Sequence, residues 1–272
     1  MSRGYFYYHR FIISRRIVQL SILLLYILAR HTDLDILKGD LTFSELLGVI
    51  PFADPYAVLQ IIATGSIPGK SLIIGGLIIL LFYALIGGRV FCSWVCPMNI
   101  VTDSASALRR KLKIDQDDKP TRISRKIRYW ALGLSLILSL IFGLAAFESI
   151  SPVSILHRGI IYGFGYGWLV VLAIFLIDLF VLKNGFCGNL CPLGAFYAFI
   201  SKFSVVRIKH IKEKCNLCMD CRVICPEPHV LPMIGKHDAL VLSGECNNCG
   251  RCIEVCKDDS MMFSLRTKSV NK

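Results

Sequence analysis

The sequence predicts a membrane all-α fold of four transmembrane helices in two parallel repeats, followed by a small cysteine-rich α+β domain. Three observations carry this. Mean hydropathy is +0.59, and 54% of residues are hydrophobic, more than a soluble domain carries. The apolar residues gather into four long runs rather than spreading through one core. The stretch RVFCSWVCP at residues 89–97 closes one run and returns as NGFCGNLCP at 184–192, 95 positions later.

The runs occupy residues 11–29, 71–87, 129–147 and 162–182. Each is about as long as the 17–25 residues needed to cross roughly 30 Å of hydrocarbon. The first is the weakest, because Arg15 and Arg16 shorten its apolar part. The third has no charged residue and the fourth has one, Asp178. Trp94, Trp130 and Trp168 all fall near run ends, where interfacial anchors sit.

Lys and Arg set the orientation. Residues 1–16 hold four arginines and no acid, and residues 89–128 hold ten Lys/Arg against four acids. Residues 30–70 hold three against five acids, and residues 148–161 hold one. Both termini and the middle connection are therefore expected on the cytoplasmic side of the membrane. This bias and attraction to anionic lipid explain the net charge of +12, so no nucleic-acid partner is inferred. SRRIVQL (residues 14–20) looks like a twin-arginine export signal, but no cleavage site follows and three more runs do. GSIPGKS (residues 65–71) is one residue short of a phosphate loop and runs straight into a span.

The halves repeat each other. ISRRIVQLSILLL from Ile13 resembles ISRKIRYWALGLSL from Ile123, and IPFADPYAVLQ from Ile50 weakly resembles ISPVSILHRGI from Ile150. Two spans per half return the chain to its starting side, so the repeats should be parallel. Residues 1–206 form the expected membrane domain and 207–272 the tail domain.

Eight of the twelve cysteines stand in that tail. Cys215, Cys218, Cys221 and Cys225 follow C-x2-C-x2-C-x3-C-P. Cys246, Cys249, Cys252 and Cys256 repeat the spacing, with Lys257 in place of the proline. This is the bacterial two-cluster ferredoxin pattern, in which each fourth cysteine ligates the other cluster. One 4Fe-4S cluster is assigned Cys215, Cys218, Cys221 and Cys256, and the other Cys246, Cys249, Cys252 and Cys225. Soft thiolates suit iron–sulfur centres. Zinc gives no reason for two identical runs, and disulfides are disfavoured on the cytoplasmic side.

The remaining cysteines are Cys92, Cys96, Cys187 and Cys191. If the second and fourth spans continue as α-helix, each pair stands at i and i+4 on one face, and the proline that follows disfavours further helix. Three readings stay open: a third metal or cluster site shared by the halves, a pair of redox dithiols, or simple packing of small apolar side chains.

GRVFCSWVCPMNIVTD (residues 88–103), GFCGNLCPLGAFY (185–197), the four spans and the two tail motifs together resemble the NapH-type membrane component of quinol dehydrogenases, a polyferredoxin subunit serving periplasmic nitrate reduction. The resemblance covers nearly the whole chain. It implies quinol oxidation in the inner membrane and electron passage towards a periplasmic reductase. The partners it implies are the membrane quinol pool, a periplasmic iron–sulfur subunit and a multihaem c-type cytochrome. No C-x-x-C-H haem site is present in this chain.

Quinol oxidation releases protons, so a base near the membrane interface is wanted. Asp178, the one acid inside a span, is the candidate proton acceptor. The alternative for it is an ion pair with Lys183 or with an arginine of another helix, Arg89 among them. His31, Asp33, Glu148 and His157 are the candidates on the outer side. The rival function is a membrane-tethered ferredoxin relay, or a metal-reducing assembly factor handling copper, that uses no quinol.

Overall fold

The computed structural model describes residues 5–32, 36–114, 124–163 and 165–266. Asp33 lies outside them. Helix α1 (Arg10–His31, 22 residues) is the one described helix long and apolar enough to cross a membrane by length and composition. The other expected spans are shorter. Residues 71–87 become α3 (Lys70–Ile86, 17 residues), and 129–147 become α5 (Ile127–Phe142, 16 residues). Residues 162–182 become α7 (Gly167–Leu176) running into a π-helical turn, Ile177–Val181. At 1.5 Å per residue α3 reaches about 26 Å, a little under the hydrocarbon thickness. Glycines stand at two of these ends. Gly87 follows α3 at φ +153°, and Gly143 closes α5 at φ +64° while its N–H donates to the Ser139 carbonyl, the left-handed termination that glycine adopts cheaply.

These helices are polar inside and apolar outside. Leu77, Leu81 and Leu85 of α3 and Leu134, Ile137 and Leu140 of α5 are exposed, whereas Gln19, Arg128, Ser135 and Ser139 are buried. Water would penalise that arrangement by about 25 cal/mol for each Å² of apolar surface left uncovered.

Both halves run through the same element order. A helix is followed by one that opens on proline, a further helix, a π-helical turn carrying a cysteine, and a last helix, and the second half adds a short helix, Ala146–Ile150, and an earlier π-turn, Ile177–Val181. In the first half these are α1, α2 (Pro55–Ala63), α3, the turn Phe91–Val95 and α4 (Met98–Lys111). In the second they are α5, α6 (Pro152–Tyr162), α7, the turn Phe186–Leu190 and α8 (Pro192–Ser201). Asp54 caps α2 by accepting the Tyr56 N–H at 3.2 Å, with Pro55 in the first turn, where its missing N–H costs nothing. The first half alone inserts an antiparallel sheet, β1 (Leu37–Gly39), β2 (Phe43–Leu46) and β3 (Ile50–Ala53), in that spatial order.

The chain divides into two compact units. One joins Met1–Val18, Phe82–Val95 and Tyr197–Lys272, so residues 207–272 share a unit with two earlier segments. Its sheet has β4 (Val206–His210) at the centre, with β5 (Ala239–Leu240) and β6 (Met261–Leu265) antiparallel on either side. Ile208, Val230, Leu231, Ile234, Val241, Ile253 and Met261 form its core, together with Cys221 and Cys252. The start of α1 docks here. Phe11 meets Phe263 edge-on at 5.4 Å, and the Glu254 carboxylate accepts the Phe11 and Ile12 N–H groups at 2.6 and 2.9 Å. A carboxylate placed there complements the positive end of the helix.

The other unit joins Gln19–Leu81 and Cys96–Phe196. In it α2, expected within a surface connection, is buried: Tyr56 and Gln60 are fully covered. The Tyr56 ring tilts over Phe196 at 5.4 Å and its hydroxyl pairs with the Ser135 hydroxyl. The Gln60 side-chain oxygen accepts the N–H groups of Phe147 and Glu148. The reason is composition: PYAVLQIIA offers one polar side chain of amide type, and that side chain has backbone partners to satisfy it.

Candidate metal centre

The two tail runs have matching backbones. In C-N-L-C-M-D-C, Leu217 and Met219 adopt φ +65° and +63°. In C-N-N-C-G-R-C, Asn248 and Gly250 stand at the same places with φ +47° and +76°. Left-handed residues on each side of the middle cysteine curl the chain so that three thiols face one point. Short helices follow, α9 (Asp220–Ile224) and α10 (Arg251–Glu254), and they pack together. Cys225 and Cys256 leave the ends of these helices.

The packing groups the thiols across the runs. The groups that raise Cys221, pushed up to about 11 first by burial, are the thiols of Cys256, Cys218 and Cys215. Cys225 is raised by burial and by Cys249 and Cys246, Cys252 by burial and by Cys249, Cys246 and Cys225, and both to a lesser degree by Cys221 of the other set. Cys225, Cys246, Cys249 and Cys252 line one cavity, closed on its apolar side by Ile208, Val230 and Leu231. The strongest of these influences run within the sets expected from the spacing, with Cys221 reaching across to the second. Buried thiols this reluctant to ionise release their protons when a cationic centre takes them as thiolates. The donor set, four soft sulfurs in an apolar shell, fits an iron–sulfur group. Backbone N–H groups already point at sulfur, as Ser260 does to Cys256 Sγ at 3.3 Å.

The second run is clamped by residues that the sequence offered for other roles. Arg89 donates through Nη1 to Glu227 Oε1 at 2.9 Å and to the Glu245 carbonyl at 2.8 Å. Ser93 donates to the Asn247 carbonyl at 2.7 Å and the Trp94 indole N–H to the Asn248 carbonyl at 3.2 Å. Trp94 is therefore tied to the cysteine run rather than standing as a free interfacial anchor, unlike Trp130 and Trp168, which are at least half exposed. Gly88 lets this segment pass against the backbone at Tyr197 and Ser201, where any Cβ would collide.

The C-x-x-x-C pairs are not on α-helix. Phe91–Val95 and Phe186–Leu190 are π-helical turns, a form that recurs at functional sites, and Cys191 has already left the helix with φ −65° and ψ 111°. The prolines do not merely end helices. Pro97 is the N-cap of α4 and Pro192 the first residue of α8.

The second turn is held from below by Asp178, buried with Oδ1 accepting the N–H of Phe186 at 3.2 Å and that of Gly185. Its cationic neighbour is Arg109 of α4, which donates to the Leu179 carbonyl at 3.0 Å. Arg89, by contrast, is engaged with Glu227. Buried Arg128 donates to the Gly188 carbonyl, between the two cysteines, at 3.2 Å. Cys191 lies near enough to Tyr56 to add to the effect of burial, which pushes that phenol up to about 12.

The outer candidates separate from one another. Glu148 accepts from Thr42 and Ser154, each at 2.6 Å, and Arg158 binds Asp40 at 2.7 Å. His31 is exposed at the end of α1. His157 is 1% exposed, edge-on to Tyr26 at 4.8 Å, and neither ring nitrogen has a hydrogen-bond partner among the described residues. Burial, helped by the Arg158 charge, lowers it to about 4 against the pull of Asp40.

A profile for a 4Fe-4S binding domain matches the chain twice, at residues 69–115 and 164–210, once around each C-x-x-x-C-P pair. The ferredoxin-type protein NapH of Haemophilus influenzae is 46% identical over 97% of this chain and 92% of its own length. The methylamine utilization ferredoxin-type protein MauN of Methylorubrum extorquens is 40% identical over 99% and 94%. The NapH protein of Escherichia coli is 39% identical over 98% and 94%. No solved structure matches the chain.

Proposed function

The chain belongs to the NapH and MauN family of ferredoxin-type proteins, and we propose that it is a membrane-bound electron-transfer subunit that draws electrons from quinol and passes them towards a periplasmic reductase. Its ferredoxin-type, iron–sulfur character comes with the family and with the twice-matched 4Fe-4S domain. The observation that carries the rest is the hydrogen-bonded seam from the π-helical turn Phe91–Val95 to the second cysteine run, Ser93 to Asn247 and Trp94 to Asn248. A tail that merely hung from an anchor would have no need of it.

Cys215, Cys218, Cys221 and Cys256 would hold one iron–sulfur group and Cys225, Cys246, Cys249 and Cys252 the other. When bound, such groups supply one-electron transfer. The chain's own residues hold the thiols convergent, exclude water with Ile208, Val230 and Leu231, and fix the second run to residues 89–94. We read Cys92, Cys96, Cys187 and Cys191 as ligands of a further iron–sulfur centre, supported by their repeated spacing and by the domain match at both pairs.

Four membrane crossings in two parallel repeats, with both termini cytoplasmic, fit the repeated element order and the exposed apolar faces of α3 and α5. Nitrate reduction as the destination rests on the NapH resemblance. The MauN relatives, named for methylamine utilization, make the destination a property of the partner, whereas the electron-carrying part is common to both names. The periplasmic iron–sulfur subunit and multihaem cytochrome stand on the same resemblance.

The test is purified protein in liposomes under anaerobic conditions, given a reduced quinol analogue. Quinol should reduce the iron–sulfur groups. If they stay oxidised with quinol while dithionite still reduces them, the quinol reading fails and a relay or metal-handling role takes its place.

A further inference from the structure

Among the buried cations of the tail's compact unit, Arg207 stands out. It is 1% exposed, and its described partners are all carbonyl oxygens: Ser204, Val241, Ser243 and Ser201. A guanidinium that far from water needs a counter-charge, and four carbonyl dipoles do not supply one. Cys246 stands beside it: Arg207 Nη1 and the Cys246 N–H both donate to the Ser243 carbonyl, each at 3.3 Å. Arg89, also 1% exposed, acts on the Cys246 thiol from its seat on the Glu245 carbonyl. Arg251, 7% exposed, acts on Cys225 and lines the cavity shared by the four thiols.

The described surroundings of Cys221 in the other set differ. The groups acting on Cys221 are three thiols and the Arg222 backbone N–H. The cations nearest this run in sequence, Lys212, Lys214 and Arg222, are exposed, as is Lys257 beside Cys256, where water and salt screen them.

We propose that Arg207, with Arg89 and Arg251, is the built-in counter-charge of the group held by Cys225, Cys246, Cys249 and Cys252, and raises its reduction potential more than that of the group held by Cys215, Cys218, Cys221 and Cys256. This rests on the reading that each thiol set holds an iron–sulfur group. Reduction adds one negative charge to a thiolate-ligated group. A buried positive charge lowers the energy of that added electron several-fold more than an exposed one does, because the local dielectric response is weaker. Glu227, 2% exposed and bound to Arg89, offsets part of one charge; Arg207 has no such partner among the described residues.

The experiment is a mediator-controlled redox titration of the full-length protein followed by EPR, with iron content measured first. Arg207→Gln should shift one of the two tail signals to lower potential by at least tenfold in its reduced-to-oxidised ratio, which is 59 mV for one electron. The second signal should stay within about twofold, and Arg207→Lys should keep both near the wild-type values. Equal shifts of both signals, or no shift with iron retained, overturn the proposal. Should Arg207→Gln not fold, Glu227→Gln reads the same field in the opposite sense, and its selective signal must rise; a fixed signal overturns the proposal equally. Protein without iron overturns both this inference and the cluster reading. Because mediators set the potential, failure of quinol to react would sink the proposed function and leave this inference standing.

Discussion

The two tail runs have the same spacing and the same left-handed turns, yet they live in different surroundings. The first, Cys215–Cys225, faces solvent: Leu217 and Val223 are 55% and 63% exposed, and Cys218 is exposed. Its left-handed positions carry Leu and Met, which adopt that region at a cost of about 1–2 kcal/mol each. The second run uses Asn and Gly, which adopt it cheaply, and it faces protein, with Arg89, Ser93 and Trp94 upon it. A thiol-converging loop is thus a local device. What it faces is decided by segments more than a hundred residues away, and that decides which run can exchange electrons with which neighbour.

The comparison breaks most severely at the thiols. Cys221→Ser and Cys252→Ser should each remove about four irons, read by iron analysis. Loss from Cys252→Ser should also loosen residues 89–94, seen as faster amide exchange there, while Cys221→Ser should not. If both variants protect 89–94 equally, the second run has no privileged link to that segment.

Next in size is the Arg89–Glu227 pair. Arg89→Gln strands a buried carboxylate and should cost about 3–5 kcal/mol, measured by denaturant unfolding. Arg222→Gln on the exposed run should stay within about 0.5 kcal/mol. Comparable losses would mean that the first run is as enclosed as the second.

Thiol access sharpens the contrast without a mutation. In iron-stripped protein an alkylating reagent should modify Cys218 on the order of tenfold faster than Cys252, since reactivity follows exposure and thiolate character. Equal rates, read by peptide mass analysis, would show that the difference in burial depends on bound iron.

The smallest effects concern single contacts. Trp94→Phe removes one hydrogen bond to the second run and should cost about 1 kcal/mol. Met219→Gly should stabilise the first run by up to about 1 kcal/mol by relieving its left-handed residue, whereas Gly250→Ala should destabilise the second, since a Cβ there would press on Phe11. Thermal unfolding of the holoprotein checks all three. A destabilising Met219→Gly would mean that its side chain has a packing role that outweighs the strain.

Several features were legible because their causes are local. Cysteine spacing gave the two thiol sets, and hydropathy placed the four apolar runs within a few residues of α1, α3, α5 and α7. Other expectations failed for equally physical reasons. Gly143 stops α5 after Phe142, where the apolar run continues to Phe147. The C-x-x-x-C pairs wind as π-turns because Asp178 and Arg128, in the second repeat, bind the turn from other elements. The cation acting on Asp178 is Arg109, which no spacing rule singles out from the ten cations of the middle connection.

By itself the sequence determined how many thiols there are, how they are spaced, where the chain is apolar and that its halves repeat, because covalent order and side-chain solubility fix these. Tertiary structure alone decided that Arg89 lies on Glu227, 138 positions away, that Arg207 is buried among carbonyls beside Cys246, and that one cysteine run is enclosed while its copy is not. Those are pairings between distant segments, and their energies depend on burial and geometry that exist only once the chain has closed around them.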